Sequence, residues 1–166
     1  LSFWSEAHFK VLGALYDSGR GPMAAYVRRL YANSRDVSSL SGACILLRRE
    51  AFEQVDGFDE RFFLYAEDID LCLRLRQMGW SLRYEAGAVV EHDRGASRAT
   101  TPMATAVHYR QSQLAFYRKH RNALATQSLR LYLAFRFMIK RLFARGREQR
   151  KLADDLLRCT LREPDR

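Results

Sequence analysis

Gly57-Phe58-Asp59-Glu60-Arg61-Phe62-Phe63-Leu64-Tyr65-Ala66-Glu67-Asp68-Ile69-Asp70-Leu71-Cys72-Leu73-Arg74-Leu75-Arg76 is the stretch on which the reading of this chain turns. Five carboxylates fall between Asp59 and Asp70, and three of them, Glu67, Asp68 and Asp70, sit within four residues. Directly behind them, apolar Ile69, Leu71, Cys72, Leu73, Leu75 and Met78 interleave with Arg74, Arg76 and Gln77 at helical spacing, and Gly79 is a natural stop. The acidic cluster is therefore expected at the N-terminus of a largely buried helix. There the helix dipole favours negative charge by roughly 0.3–1 kcal/mol per group, which keeps carboxylates ionised and aims them beyond the helix mouth. A first turn rich in acids is ordinarily a capping feature. Its neighbours here argue for more.

Upstream, Ser41 to Leu47 reads as a buried strand in which Gly42 and Ala43 are small enough to let a ligand or another backbone come close. Arg49 to Val55 carries good helix formers and reads as a short helix ended by Gly57. Downstream, Trp80-Ser81-Leu82-Arg83-Tyr84 alternates as a strand, with Trp80 and Tyr84 read as core, and Ala88 to Glu91 is a second short extended run. His92-Asp93-Arg94-Gly95-Ala96-Ser97-Arg98 leaves that run as a loop. His92 lies 24 residues after Asp68, one helix-plus-strand excursion, which returns the chain to the side of the sheet from which the helix set out. Strand, acidic helix mouth, strand and terminal His together make a constellation.

The runs Ser41 to Phe52, Gly57 to Glu60 and Phe63 to Arg74, continued by Gly79-Trp80 and Val89-Val90-Glu91-His92, resemble the second half of a family 2 inverting glycosyltransferase. The resemblance is closest to bacterial rhamnosyltransferase-like members with a GT-A fold, and it covers the chain from Val37 to Lys119. It implies an α/β fold: the C-terminal half of a GT-A (nucleotide-diphospho-sugar transferase) fold followed by an α-helical tail. Residues 1–103 would be the acceptor-side, catalytic half and 104–166 a basic amphipathic extension. The implied activity is transfer of a sugar, rhamnose at the level of the family, from a nucleotide-sugar donor with inversion. The implied acceptor is a saccharide or lipid-linked saccharide in cell-surface polysaccharide synthesis, handled in the cytoplasm at the inner face of the membrane.

An inverting transfer is a single displacement at the anomeric carbon. It needs a base for the acceptor hydroxyl and positive charge for the leaving nucleoside diphosphate. The resemblance assigns the base to Asp68, with Glu67 orienting it or contacting the acceptor. Asp70 reads as a capping or structural residue, because helical neighbours two apart do not share a face. The second task implies Mg²⁺ or Mn²⁺, since hard cations suit oxygen ligands and phosphates. The resemblance assigns the metal mostly to an Asp-x-Asp segment of the N-terminal half, which this chain lacks ahead of Gly42. Asp68 and Asp70 have that spacing but occupy the base position, so the metal motif is not carried onto them. A lone His at a strand end is usually a surface residue; the resemblance places a metal- or diphosphate-contacting His at His92. Gly42, Ala43, Phe63, Tyr65, Arg94 and Ser97 are substrate-binding candidates. Phe62, Phe63 and Tyr65 read equally as an apolar floor for a sugar ring or as core, and Arg94 and Ser97 read as diphosphate contacts.

At 166 residues, 48% hydrophobic and 28% charged, the chain has the composition of one soluble globular domain with its own core. It opens on Leu1 with no leader pattern, so it reads as a piece of a longer protein whose nucleotide-binding half lies upstream. Cys44, Cys72 and Cys159 have no metal-ligand spacing and fit a reduced compartment without a catalytic role. Residues 1–36 carry no assigned chemistry: Phe3 to Tyr16 have a weak helix-like spacing, and Tyr26 to Tyr31 reads as a short helix or an acceptor-side loop.

Ala104 to His120 reads as a helix with Ala106, Val107, Leu114, Ala115, Phe116 and Tyr117 inward and Arg110, Arg118 and Lys119 outward. Gln127 to Ala144 reads as a longer one whose apolar run is interrupted by Arg130, Arg136, Lys140 and Arg141, too often to span a bilayer. Residues 121–151 hold nine Lys and Arg and one acid, a net +8 of the chain's +9. That tail suits peripheral contact with an anionic membrane. It also raises the alternative of a basic nucleic-acid- or membrane-binding module without catalysis. Its aromatics lie inside a helical apolar pattern rather than on a stacking platform, which argues against nucleic acid. A metal-dependent hydrolase using Glu67, Asp68, Asp70 and His92 would need further ligands, and no Asp- or His-rich partner segment is present.

Overall fold

In the computed structural model, which describes residues 21–92 and 102–162, the acidic stretch opens a helix as its spacing requires. In chain order the elements are α1 (Gly21–Tyr31), β1 (Arg35–Asp36), α2 (Arg49–Gln54), α3 (Glu67–Gln77), β2 (Arg83–Tyr84), α4 (Pro102–His120), α5 (Ala123–Leu142) and α6 (Arg147–Leu161). They group into two compact units, residues 21–57 with Leu71–His92, and Phe58–Asp70 with 102–162. The division between these units runs through α3, just behind its acidic first turn.

The first unit is built on the apolar stripe of α3. Leu71, Cys72 and Leu75 close a core with Ala51, Val55 and Leu82, and Val37, Leu40, Leu47, Phe52 and Trp80 pack around it. Each fully buried Leu contributes roughly 1.5–3 kcal/mol of transfer free energy. α2 and α3 end in the same hydrogen-bonded motif. In α3 the amide of Gly79 (φ +90°) donates to Arg76 and that of Trp80 to Leu75. In α2 the amide of Asp56 donates to Glu53 and that of Gly57 to Phe52. The left-handed residue there is Asp56, at φ +59°, where glycine would be unstrained. Arg74 turns back from α3 to cap α2, its guanidinium donating to the carbonyls of Val55 and Gly57. β1 and β2 pair antiparallel with Arg35 opposite Tyr84, and the Arg35 guanidinium lies 5.3 Å from the Tyr31 ring and 5.6 Å from the Tyr84 ring.

In the second unit α4, α5 and α6 pack on one another. α5 buries Thr126, Leu129, Leu133 and Phe137, and α6 buries Ala153, Leu156 and Thr160, each set at one-face helical spacing. Asn122 caps α5 by accepting the Ala125 amide at 2.9 Å. Arg130 caps the end of α6, donating to the carbonyls of Thr160 and Leu161 at 3.2 and 3.0 Å.

Several sequence expectations change. Ser41 to Leu47 is not a buried strand: it is turn and coil, Cys44 is exposed and Leu46 is 98% exposed. A strand persists only where neighbours pair its backbone and cover a face, and among the described residues the only pairing is the two-residue ribbon β1–β2. For the same reason Trp80 to Tyr84 shrinks to β2, and Ala88 to Glu91 is exposed coil. The described residues are thus mostly helical rather than evenly α/β. Arg110 and Lys119 do not face outward on α4. Arg110 is buried, donating to Gln113 at 2.6 Å with its guanidinium 5.9 Å from the Phe137 ring. The weak helix expected over Phe3 to Tyr16 lies outside the described residues, and α6 was not anticipated.

Candidate active site

The acidic stretch begins with a turn that fixes Asp59. The Phe62 amide donates to the Asp59 carbonyl, and the Arg61 backbone amide and guanidinium both donate to the Asp59 carboxylate. The chain then reaches α3 through Tyr65 (φ +66°) and Ala66 (φ +69°), two consecutive left-handed residues without glycine's freedom. Such conformations cost on the order of 1–2 kcal/mol per residue and persist only where surrounding contacts hold them. Ala66 itself is buried and accepts the first helical hydrogen bond, from Asp70, at 2.8 Å.

The holding contacts come from one face of α4. The Ser112 hydroxyl donates to the Leu64 carbonyl at 2.7 Å, the Tyr109 ring meets the Tyr65 ring edge-on at 5.5 Å, and the His108 ring lies 4.9 Å from that of Phe63. Near the end of the same helix, Lys119 Nζ reaches Asp59 Oδ2 at 2.6 Å and Asp70 Oδ1 at 2.7 Å. His120 Nε2 reaches Asp70 Oδ1 at 2.6 Å. These five α4 residues recur at helical spacing, which places them along one face. Asp70 is fully buried within this cluster, so it anchors the first turn of α3, as the structural reading of it expects.

The carboxylates do not share one environment. Asp59 titrates well below the ordinary carboxylate range, chiefly because Arg61 and then Lys119 hydrogen-bond its ionised form. Glu67 moves the other way, against the expectation that the helix dipole keeps the whole cluster ionised. Burial raises its pKa, the neighbouring Asp68 charge adds to the rise, and Glu67 Oε2 is buried with no hydrogen-bond partner. Asp68 is half-buried, and its Oδ1 accepts the Ile69 amide at 2.8 Å. A proton-avid carboxyl beside a second carboxyl is an arrangement suited to taking and passing a hydroxyl proton.

Of the other candidates, Phe62 is core, with Lys119 Nζ 5.6 Å from its ring centre. Phe63 is 79% exposed and Tyr65 partly exposed beside the acidic turn. Gly42 and Ala43 lie in an exposed turn, His92 is exposed coil, and Arg94 and Ser97 fall outside the described residues. No three His, Cys, Asp or Glu side chains among the described residues converge to hold a metal ion. With Asp59 and Asp70 committed to Lys119, Arg61 and His120, the acids among the described residues do not fit a divalent cation.

Sequence reasoning missed Lys119, His120 and Ser112. The available signal was their spacing of seven and eight residues, which puts polar groups on the same stripe as Phe116 and hence on the packed side.

Residues 20–126 match the family model described as glycosyltransferase like family 2. The chain is similar to the N-acetylglucosaminyl-diphospho-decaprenol L-rhamnosyltransferase of Mycobacterium tuberculosis, 39% identical over 111 residues, covering 66% of this chain and 36% of that protein. It is also similar to rhamnosyltransferase WbbL of Escherichia coli, 50% identical over 44 residues, covering 26% of this chain and 17% of that protein. A third relative is the O-antigen biosynthesis protein RfbC of Myxococcus xanthus, 42% identical over 65 residues, covering 39% of this chain and 5% of that protein. The chain thus spans little more than a third of the length of that Mycobacterium tuberculosis relative. No solved structure matches it.

Proposed function

Because the chain belongs to the family 2-like glycosyltransferases, we propose that it supplies the acceptor-side, catalytic part of an enzyme that transfers a sugar from a nucleotide-sugar donor with inversion. Two relatives are named as rhamnosyltransferases, which favours rhamnose as the sugar. A lipid-linked saccharide as acceptor accords with the diphospho-decaprenol in the name of one of them. In this reading residues 1–103 are the C-terminal half of a GT-A domain and 104–166 its extension. The site works at the cytoplasmic face of the membrane.

The observation that carries the reading is the anchored mouth of α3. Lys119 and His120 hold Asp70, and α4 holds the strained approach through Tyr65 and Ala66. Glu67 and Asp68 are thereby fixed in direction before substrate arrives, which removes orientation entropy from the chemical step. Asp68 takes the acceptor hydroxyl proton as the hydroxyl oxygen attacks the anomeric carbon from the face opposite the nucleoside diphosphate. Glu67, with its raised pKa, orients Asp68 or hydrogen-bonds the acceptor. Phe63 and Tyr65 offer ring faces to a sugar, Gly42 and Ala43 give close backbone approach, and Arg94 and Ser97 meet the diphosphate. Any Mg²⁺ or Mn²⁺ is assigned to donors outside the described residues, to which His92 would add one nitrogen.

The test is Asp68→Asn in the full-length enzyme, followed by release of nucleoside diphosphate from a panel of nucleotide sugars. Turnover should fall on the order of 10²–10⁴-fold with donor affinity nearly unchanged. Near-normal turnover removes Asp68 as the base.

A further inference from the structure

α5 has two apolar faces, and only one is used. Its inner face packs through Leu129, Leu133 and Phe137. On the opposite side Leu124, Leu131, Phe135, Met138 and Leu142 follow one another at steps of seven, four, three and four residues, which is a single stripe on a helix. All are exposed, Leu131 at 72%, Phe135 at 62% and Leu142 at 74%, and Phe143 at the end of the helix is exposed at 78%. Of the cations on α5, Arg141 lies beside the end of the stripe, and Lys140 falls on the side of Leu129 and Leu133. No helix among the described residues is long and apolar enough to cross a membrane.

The stripe runs out at a basic groove. Ala144, Arg145, Gly146, Arg147, Arg150, Lys151, Asp154, Asp155 and Arg158 line a cavity of about 660 Å³ where α5 turns into α6. Five of these side chains are cationic, and Arg147, Arg150, Lys151 and Arg158 recur on one face of α6. Of the two acids, Asp154 is already paired with Arg141 at 2.6 Å. Among the described residues, none of the five cations is ion-paired with an acid. α6 begins at Gly146 with no side-chain cap, so the amides of its first turn add their partial positive charge to the same groove.

We propose that this surface docks the protein on an anionic phospholipid bilayer: the outer stripe of α5 enters the acyl–headgroup boundary, and the groove at the start of α6 holds lipid phosphates. This rests on the membrane-face reading given above and gives it a definite surface. The occupant follows from charge and shape together. An apolar stripe that runs out at a cationic groove matches a bilayer interface, where apolar side chains sink and cationic heads remain among phosphates. A second copy of this surface would oppose cation to cation. Each Lys or Arg near an anionic surface contributes enough to change partitioning severalfold.

Co-sedimentation of the full-length protein with phosphatidylcholine vesicles, with and without phosphatidylglycerol, tests the proposal. Binding should require phosphatidylglycerol and weaken steeply as salt rises. Replacing Arg147, Arg150 and Lys151 together by Gln should weaken it on the order of 100-fold. Phe135→Trp should show blue-shifted emission only when phosphatidylglycerol is present, and Leu131→Gln with Leu142→Gln should abolish sedimentation. Equal binding to uncharged vesicles, an unchanged Gln triple variant or unshifted Trp emission overturns the proposal. So does a lipid-free dimer that Leu131→Gln and Leu142→Gln dissociate, because the stripe then belongs to a second copy. Transfer to a water-soluble acceptor, measured on the same variants, should be unchanged. A protein that docks without transferring sinks the catalytic reading alone, and one that transfers without docking sinks this inference alone.

Discussion

Lys119 tests how the acidic mouth is held. Its ammonium bridges Asp59 and Asp70 at 2.6 and 2.7 Å, and its side chain is 19% exposed. Lys119→Met keeps the aliphatic stem and removes only the charge, leaving Asp70 with the His120 ring alone among these two partners. Losing one member of a buried charge cluster costs about 3–5 kcal/mol, because the charge left behind is less well compensated. The same Asp59 carboxylate also pairs with Arg61, whose side chain is 68% exposed. Exposed pairs are worth about 0–1 kcal/mol, so Arg61→Gln should cost far less than Lys119→Met. Combining Lys119→Met with Asp70→Asn removes both charges, and the double variant should be more stable than the summed single losses by roughly 1–3 kcal/mol. Urea unfolding followed by circular dichroism measures the three single variants and the double variant against the unsubstituted protein. Additive losses, or a Lys119→Met cost no larger than that of Arg61→Gln, would refute the view that Lys119 carries the mouth.

Two further outcomes follow from titration and backbone geometry. Glu67 has its folded pKa raised by burial, so its ionisation opposes folding once pH exceeds the unfolded pKa, and fully so above the folded one. Glu67→Gln should therefore raise the melting temperature at neutral pH, with the gain vanishing below about pH 4; a gain independent of pH would contradict the burial argument. At the helix ends, Asp56→Gly should stabilise and Gly79→Ala destabilise by about 1 kcal/mol each, since both positions are left-handed and nothing lies within 4 Å of a Cβ added at Gly79. Thermal melts that move both variants in the same direction would refute that account.

The helices were legible in the sequence because helical order is local. The spacing of Leu71, Cys72 and Leu75, the acids ahead of them and Gly79 behind them define α3 from contacts three to five residues apart. The same locality exposed the acidic mouth and the interrupted apolar run of α5. The family resemblance was legible too, carried by Ser41 to Phe52 and Phe63 to Arg74 within the matched residues 20–126. Ser41 to Leu47 was not readable in this way, because apolar content states what a segment can bury and not whether a neighbouring strand is there to pair with it.

The tertiary structure alone decided how the acids divide their work. Asp70 and His120 stand 50 residues apart in sequence, and no periodicity links them. Only the packing of α4 along the approach to α3 brings Lys119 and His120 onto Asp70, while Glu67 Oε2, three residues before it, is buried without a partner. A carboxyl's charge state depends on the dielectric and the cations within a few ångströms of it, whichever part of the chain supplies them. That is why adjacent acids that look equivalent in sequence become an anchor, a proton-avid carboxyl and a candidate base.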